Sequence, residues 1–405
     1  MSMCACFSAT STVCLSYVSS ASGLCSRLTN SHSQFFARLA QSPHLCALIR
    51  KLEVRVYPIK TLIRERRELE ELAVQVLCHA INLQDLVWTR AKTLTDECVG
   101  LQSADAVGAD GECRLVQAIV ELPSLQSLEI NGSTRLAVVS NYDVDLLLEL
   151  PALKRLAIIM PDRRMGARIP GIIERITHVP DAPVRLEALS LLCRESPIVS
   201  SALMARIQES LLSGPSPATL KTLSLVGCTS LHDDALLGLL SALPEGTLEH
   251  LALESIALRP EFISAAGSRL SGLRSLKLTH PGPSSATYLD HVAGGIKSMH
   301  HLESFTLYYS GQERDERRRR IRPYLTLGFL ETLAMEAGSR LSKLEASEVL
   351  VDAETLALLC SSLTRLQDLV VHVDHTTDLV RLWTEQRDHA LTFAYRAPSR
   401  TQWHI

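Results

Sequence analysis

Leucine recurs in this chain in the pattern Leu-x-x-Leu-x-Leu, and its clearest copy runs Leu220, Leu223, Leu225 and continues through Cys228, Leu231 and Asp233. The pattern returns from one end of the chain to the other. Aligned on its first apolar position it gives Ile49, Leu83, Leu125, Leu153, Leu186, Leu220, Leu248, Leu273, Leu302, Leu341 and Leu366, at intervals of 25 to 42 residues. Periods of that length mark units that stack on their neighbours instead of folding around one central core. Each interval has room for a short strand, a turn and a returning helix. The expectation is an α/β, curved leucine-rich-repeat solenoid of about eleven units, with a parallel sheet on the concave side and helices on the convex side.

The composition agrees with a stack. At 405 residues the chain exceeds the usual size of a single core, yet no Pro/Gly-rich linker or charge block divides it. Leucine supplies 69 residues and aromatics only 4%, so the interior must be aliphatic and repetitive. Expected boundaries are an N-terminal segment over 1–42, partly disordered or a linker remnant, a repeat domain over 43–375, and a C-terminal cap and tail over 376–405. Leu379, Leu382 and Trp383 suit a closing helix that covers the last repeat.

One unit shows the physics. Leu220, Leu223 and Leu225 point inward from the strand, with Cys228 and Leu231 inside the turn that follows. Asp233 or Asp234 is placed to accept from the free N–H groups that open a helix, whose buried stripe is Ala235, Leu236, Leu239, Leu240 and Leu243 before Pro244 helps end it. The unit at Leu83 keeps the same offsets at Leu94 and Asp96. Further helices are expected at Asp143 to Leu150, Ser200 to Leu212 and Asp352 to Leu363.

The segment from Leu220 to Leu236 resembles the cysteine-containing class of leucine-rich repeat, found chiefly in F-box proteins. Residues 34 to 56, QFFARLAQSPHLCALIRKLEVRV, resemble the junction where fungal F-box-like proteins pass from a linker into the first repeat. The resemblance implies recognition of a protein substrate for a ubiquitin ligase, with the ligase adaptor as a second partner if an F-box is present upstream. Residues 1 to 42 do not carry the Leu-Pro pair and acidic residue that open an F-box. The alternatives are a non-ubiquitin interaction scaffold and an inhibitor that covers an enzyme with its concave face.

Strand parity places a candidate surface. Residues two, four and six positions after each first leucine alternate outward. The last of these read Arg55, Thr89, Asn131, Ile159, Leu192, Val226, Glu254, Thr279, Tyr308, Ser347 and His372. Within that face Ile159, Leu192 and Val226 form an apolar stripe, flanked by His250, Glu254 and Lys277, with Tyr308 further along; these seven are the candidate partner-binding residues. The competing reading is that a neighbouring loop covers them.

Other features weigh less. Six arginines between Glu313 and Arg322 are interrupted by Asp315 and Glu316 and suit a solvated loop. Arg64, Arg66 and Arg67 each have a Glu four residues on, the spacing of an exposed ion-paired helix. His372, Asp374 and His375 have a metal-like flavour without a fourth ligand, and Cys4 and Cys6 lack a second pair, so neither metal nor cofactor is expected. No glycine-rich phosphate loop, serine elbow or HExxH helix occurs, so the chain carries no candidate catalytic residue. A net charge of −3 and a pI near 6.5 argue against general nucleic-acid binding, and no apolar run reaches a membrane span. Eleven cysteines without paired spacing read as free thiols of a reducing compartment, cytoplasmic and/or nuclear.

Overall fold

The computed structural model describes residues 12–15, 34–54, 63–89, 114–132, 144–150, 153–177, 185–193, 197–213, 219–283, 285, 287–309, 311, 321–373, 394–396 and 402–404. Eleven of its strands begin two residues after the eleven first positions aligned above: β2 (Lys51–Val54), β3 (Asp85–Trp88), β4 (Ser127–Asn131), β5 (Arg155–Ile159), β6 (Ala188–Leu192), β7 (Thr222–Val226), β8 (His250–Glu254), β9 (Ser275–Thr279), β10 (Ser304–Tyr308), β11 (Lys343–Val351) and β12 (Asp368–Val373). Ten of those first positions are buried and Leu366 is half-buried. The chain is an α/β leucine-rich-repeat solenoid. It divides into two compact units, residues 1–192 with 209–216, and residues 193–208 with 217–405.

In the first unit β2 to β6 pair in chain order, each parallel to the next. A strand outside the repeat register, β1 (Thr12–Leu15), adds to β2, also in parallel. The intervening helices are α1 (residues 34–40), α2 (Pro43–Cys46), α3 (Ile63–His79), α4 (Arg114–Val120) and α5 (Arg163–Thr177). The helix expected from Asp143 to Leu150 is a 3₁₀ helix over Val144–Glu149, the tighter form that short helical segments often take.

In the second unit β7 to β12 likewise pair in chain order and in parallel. β14 (Gln402–His404) then adds antiparallel to β12, and β13 (Ala394–Arg396) antiparallel to β14. Residues 376–393, with the expected closing helix, lie outside the described residues. The helices are α6 (Ser201–Leu212), whose residues from Glu209 group with the first unit, α7 (Asp233–Ala242), α8 (Phe262–Ala266) with the 3₁₀ turn Gly267–Leu270, α9 (Tyr288–Ile296), α10 (Leu327–Ala337) and α11 (Ala353–Ser362).

Burial explains the signature. Leu220, Leu223, Leu225, Cys228 and Leu231 are all fully buried, as are Leu236 and Leu239 on α7. Burying each such side chain is worth about 1.5–3 kcal/mol, so the repeated offsets together hold the stack. Backbone chemistry fixes the register. After nine of the first positions the next residue offers its carbonyl to two consecutive N–H groups of the following repeat: Arg50 to Gln84 and Asp85, Lys154 to Glu187 and Ala188, Glu249 to Arg274 and Ser275, at 2.7–3.0 Å. Gln84, Gln126, Lys221, Arg274, Glu303 and Ser342 do the same. A slip of one residue would break each pair and turn every buried leucine outward.

The helix start expected at Asp233 or Asp234 is built differently. His232 occupies the cap and no side chain caps the helix. Asp233 is buried inside the first turn and accepts from the backbone N–H and the Nε of Arg259, the latter at 2.7 Å. Its carboxylate joins two repeats instead of closing its own helix. Leu94 and Asp96, which share those offsets, lie outside the described residues.

Candidate functional site

β4, β6 and β7 each have one face of buried aliphatic side chains and one of alternating residues that remain partly open. That open face is the candidate site, and each unit presents its own. In the first unit Ile159 and Leu192 stand opposite each other across the β5–β6 ladder, both half-buried. Elsewhere the strands of this unit carry charge: Lys51 pairs with Glu53 at 2.7 Å, and Arg155 reaches Asp85 at 3.6 Å across the intervening strand. Parity does not guarantee exposure, because Val87 on β3 and Thr89 just after it are buried. Arg55 lies outside the described residues.

In the second unit Val226 stands opposite Glu254. His250 and Lys277 are exposed, Glu254 is half-buried and Tyr308 is 38% exposed. Tyr308 sits between Thr279 and Ser347 on the neighbouring strands, and Lys277 between Ala252 and Thr306. Thr306 is nearly buried and its Oγ1 has no hydrogen-bond partner. Lys343 and Glu345 pair at 3.2 Å, and the Ser347 hydroxyl donates to Glu345 at 3.2 Å. The seven candidates therefore fall as two in the first unit and five in the second.

The ends of β5, β7 and β8, and β11 at its register shift, are shaped by a device with almost no sequence signature. Seven residues after their first positions, Met160, Gly227, Ser255 and Glu348 adopt φ values of 49, 67, 54 and 63°. For the three that are not glycine this left-handed turn costs about 1 kcal/mol or more. Each is compensated by donating its N–H to the next repeat: Met160 to the Leu192 carbonyl at 2.6 Å, Gly227 to the Glu254 carbonyl at 2.7 Å, Ser255 to Thr279 Oγ1 at 2.8 Å and Glu348 to His372 Nδ1 at 3.2 Å.

At β11 the straight row read from the sequence breaks. The register shifts between Ala346 and Leu350, so His372 lies beside Leu350 and not beside Ser347. The extra length of β11 takes up the insertion after β10: Tyr324 bridges to Leu350, and Leu350 exchanges hydrogen bonds with Pro323 and Leu325. Arg322, last of the expected arginine cluster, pairs with Glu348 at 3.0 Å, and Glu348 also faces His372 at 3.8 Å. Residues 312–320 lie outside the described residues. His372 is thus a buried acceptor in a polar knot, while Asp374 and His375 lie outside the described residues. Among the described residues no group of three or more His, Cys, Asp or Glu could hold a metal ion. His300 and His301 are exposed just before β10.

Directly after β9 sits a buried histidine that the sequence did not single out. His280 is 4% exposed, stands edge-on to Tyr288 and Tyr309 at 5.0 and 6.4 Å, and accepts from the Gly282 N–H on Nδ1 at 3.1 Å. Burial lowers its pKa to about 4 and raises that of Tyr288, whose hydroxyl donates to the Thr279 carbonyl at 3.3 Å. Its position seven residues after Leu273 is the only sequence signal that could have drawn attention to it. No described helix is long and apolar enough to cross a membrane.

No family model matches the chain. No curated protein matches it either. Among solved structures it is similar to a chain in the crystal structure of the Rad7 and Elc1 complex in yeast, with a TM-score of 0.39 and 14% identity, covering 84% of this chain and 87% of that one.

Proposed function

We propose that this chain is a protein-recognition module that grips its partner with the open strand faces. The observation that carries the reading is the in-register array itself. Strands about 4.8 Å apart present side chains of alternating character in rows, a pre-formed surface that needs little ordering on binding. In the second unit the exposed members of that surface, His250, Lys277 and Tyr308, combine an aromatic anchor with mixed polarity, the composition of a hot spot and its rim. Glu254 and Val226 complete it, and Ile159 with Leu192 offers an apolar contact on the first unit.

The finer reading is that of an F-box-like substrate-recognition protein of a ubiquitin ligase, working in the cytosol or nucleus. It rests on the resemblance of residues 220 to 236 to the cysteine-containing repeat class. Proximity labelling with the full chain in its native cell tests the surface: Tyr308→Ala combined with Lys277→Glu should deplete a set of proteins that the unaltered chain enriches. Identical sets, from a variant with unchanged circular dichroism and melting temperature, would remove this face from consideration. Binding of the purified chain to the ligase adaptor tests the finer part. If the transcript upstream of Met1 encodes no in-frame F-box and the purified chain captures its partner but not the adaptor, the chain is a scaffold outside the ubiquitin system.

A further inference from the structure

Partner recognition uses neither of two cysteines that the fold brings together. Cys193 opens the second unit and Cys228 follows β7 by two residues. Both address one carbonyl: the Val226 oxygen accepts the Cys193 N–H at 2.6 Å and the Cys228 thiol at 3.7 Å. The Cys228 thiol also lies within reach of the Cys193 sulfur, so its single proton can turn from the carbonyl to that sulfur. Both are buried, at 3% and 0% exposure, and neither is in a disulfide. Cys46 gives the contrast, since it is equally buried but donates to the Leu39 carbonyl and has no second thiol among its described contacts.

The pair is chemically asymmetric. The hydrogen bond from Cys228 favours the Cys193 thiolate and lowers its pKa, whereas that same bond, followed by burial, raises the pKa of Cys228. One sulfur is therefore the better nucleophile and the other stands ready to resolve its product.

We propose that Cys193 and Cys228 are a redox pair that hydrogen peroxide closes to a disulfide. The Cys193 thiolate attacks one peroxide oxygen, the O–O bond breaks, and the departing hydroxide takes up the proton that Cys193 released. This leaves Cys193 as a sulfenic acid and one water. The Cys228 sulfur then attacks the Cys193 sulfur, the S–O bond breaks, and hydroxide leaves with the Cys228 proton as a second water. Two thiols and one peroxide yield one disulfide and two waters, with two electrons passing from sulfur to oxygen. The bond closes the chain between Cys193 and Cys228, both in the second unit, which restricts the unfolded chain and raises the melting temperature.

The full chain is treated with graded hydrogen peroxide, acid-quenched, unfolded, alkylated and digested without reductant for mass spectrometry. The expected product is a linked peptide pair containing Cys193 and Cys228, lighter by two hydrogens than the free peptides, formed with a rise in melting temperature and reversed by dithiothreitol. Cys78, which is exposed, reports the oxidant dose. Three results overturn the proposal: both thiols still alkylated at doses that oxidise Cys78, sulfinic acid on either cysteine without the link, or a link from either to another cysteine. Cys228→Ser provides a second measure, because it should leave Cys193 trapped as sulfenic acid, detectable with a dimedone probe. If that variant does not fold, the linked peptide of the unaltered chain decides alone.

Discussion

Acid should weaken the second unit through one residue. His280 is buried against Tyr288 and Tyr309 and uses Nδ1 as an acceptor, so protonation would place a charge in an apolar site and forfeit the bond from Gly282. Its folded pKa of about 4 lies below the ordinary value of 6.5. The unfolded chain therefore binds the extra proton between those values, and the stability that His280 contributes is fully present above pH 6.5 and lost as pH falls toward 4. Each pKa unit is worth about 1.4 kcal/mol, so the whole loss is about 3 kcal/mol, of which about 2 kcal/mol has gone by pH 5. Urea unfolding followed by circular dichroism at pH 7 and pH 5 measures it. The comparison is His280→Asn, whose Oδ1 can keep the bond from Gly282 but does not titrate. Carboxylates titrate alike in both proteins, so the difference between their two pH-induced losses isolates His280. Equal losses in the two proteins would refute the reasoning.

Other perturbations follow from the same geometry. Asp352→Ala removes the cap that accepts the Thr355 N–H at 2.8 Å and should cost about 1 kcal/mol in urea unfolding. Asp233→Ala strands the Arg259 backbone N–H and should cost about 1–3 kcal/mol, with hydrogen exchange at that amide accelerated. Gly272→Ala would place a methyl group 2.1 Å from the Gly246 carbonyl oxygen, all of it backbone on the receiving side, so the melting temperature should fall by the equivalent of about 1–3 kcal/mol.

How far the sequence revealed the fold depends on what each position demands. The inward positions accept only an aliphatic side chain of the right size, so Leu220, Leu223 and Leu225 carry their burial visibly, and eleven strands could be placed from arithmetic alone. Asp233 was misread for a related reason. An acidic residue at a helix start satisfies a local rule, and its true partner, Arg259, lies in the next repeat where no local rule reaches. The left-handed strand ends were legible only at Gly227. Met160, Ser255 and Glu348 are held there by acceptors in the following repeat, which leave no trace in composition. The break at β11 has that same origin, since it is the returning segment at Tyr324 that draws Leu350 out of step.

These misses bear directly on the candidate site. Parity decides which side of a strand a residue faces but not what else stands on that side, and Val87, Thr89, Thr306 and His372 all face the open side yet are buried. An apolar residue in the outward row therefore has two physical explanations, contact within the chain or contact with a partner, and the half-buried Ile159, Leu192 and Val226 satisfy either. A charged or aromatic side chain that remains exposed has only the second reason to be constrained. Substitutions at His250, Lys277 and Tyr308 should accordingly change capture while leaving stability within about 0.5 kcal/mol, whereas Leu192→Asp should cost stability whether or not a partner touches it. Measuring unfolding and capture on the same variants separates the two: capture lost only in step with stability would mean that the open face serves the stack and not a partner.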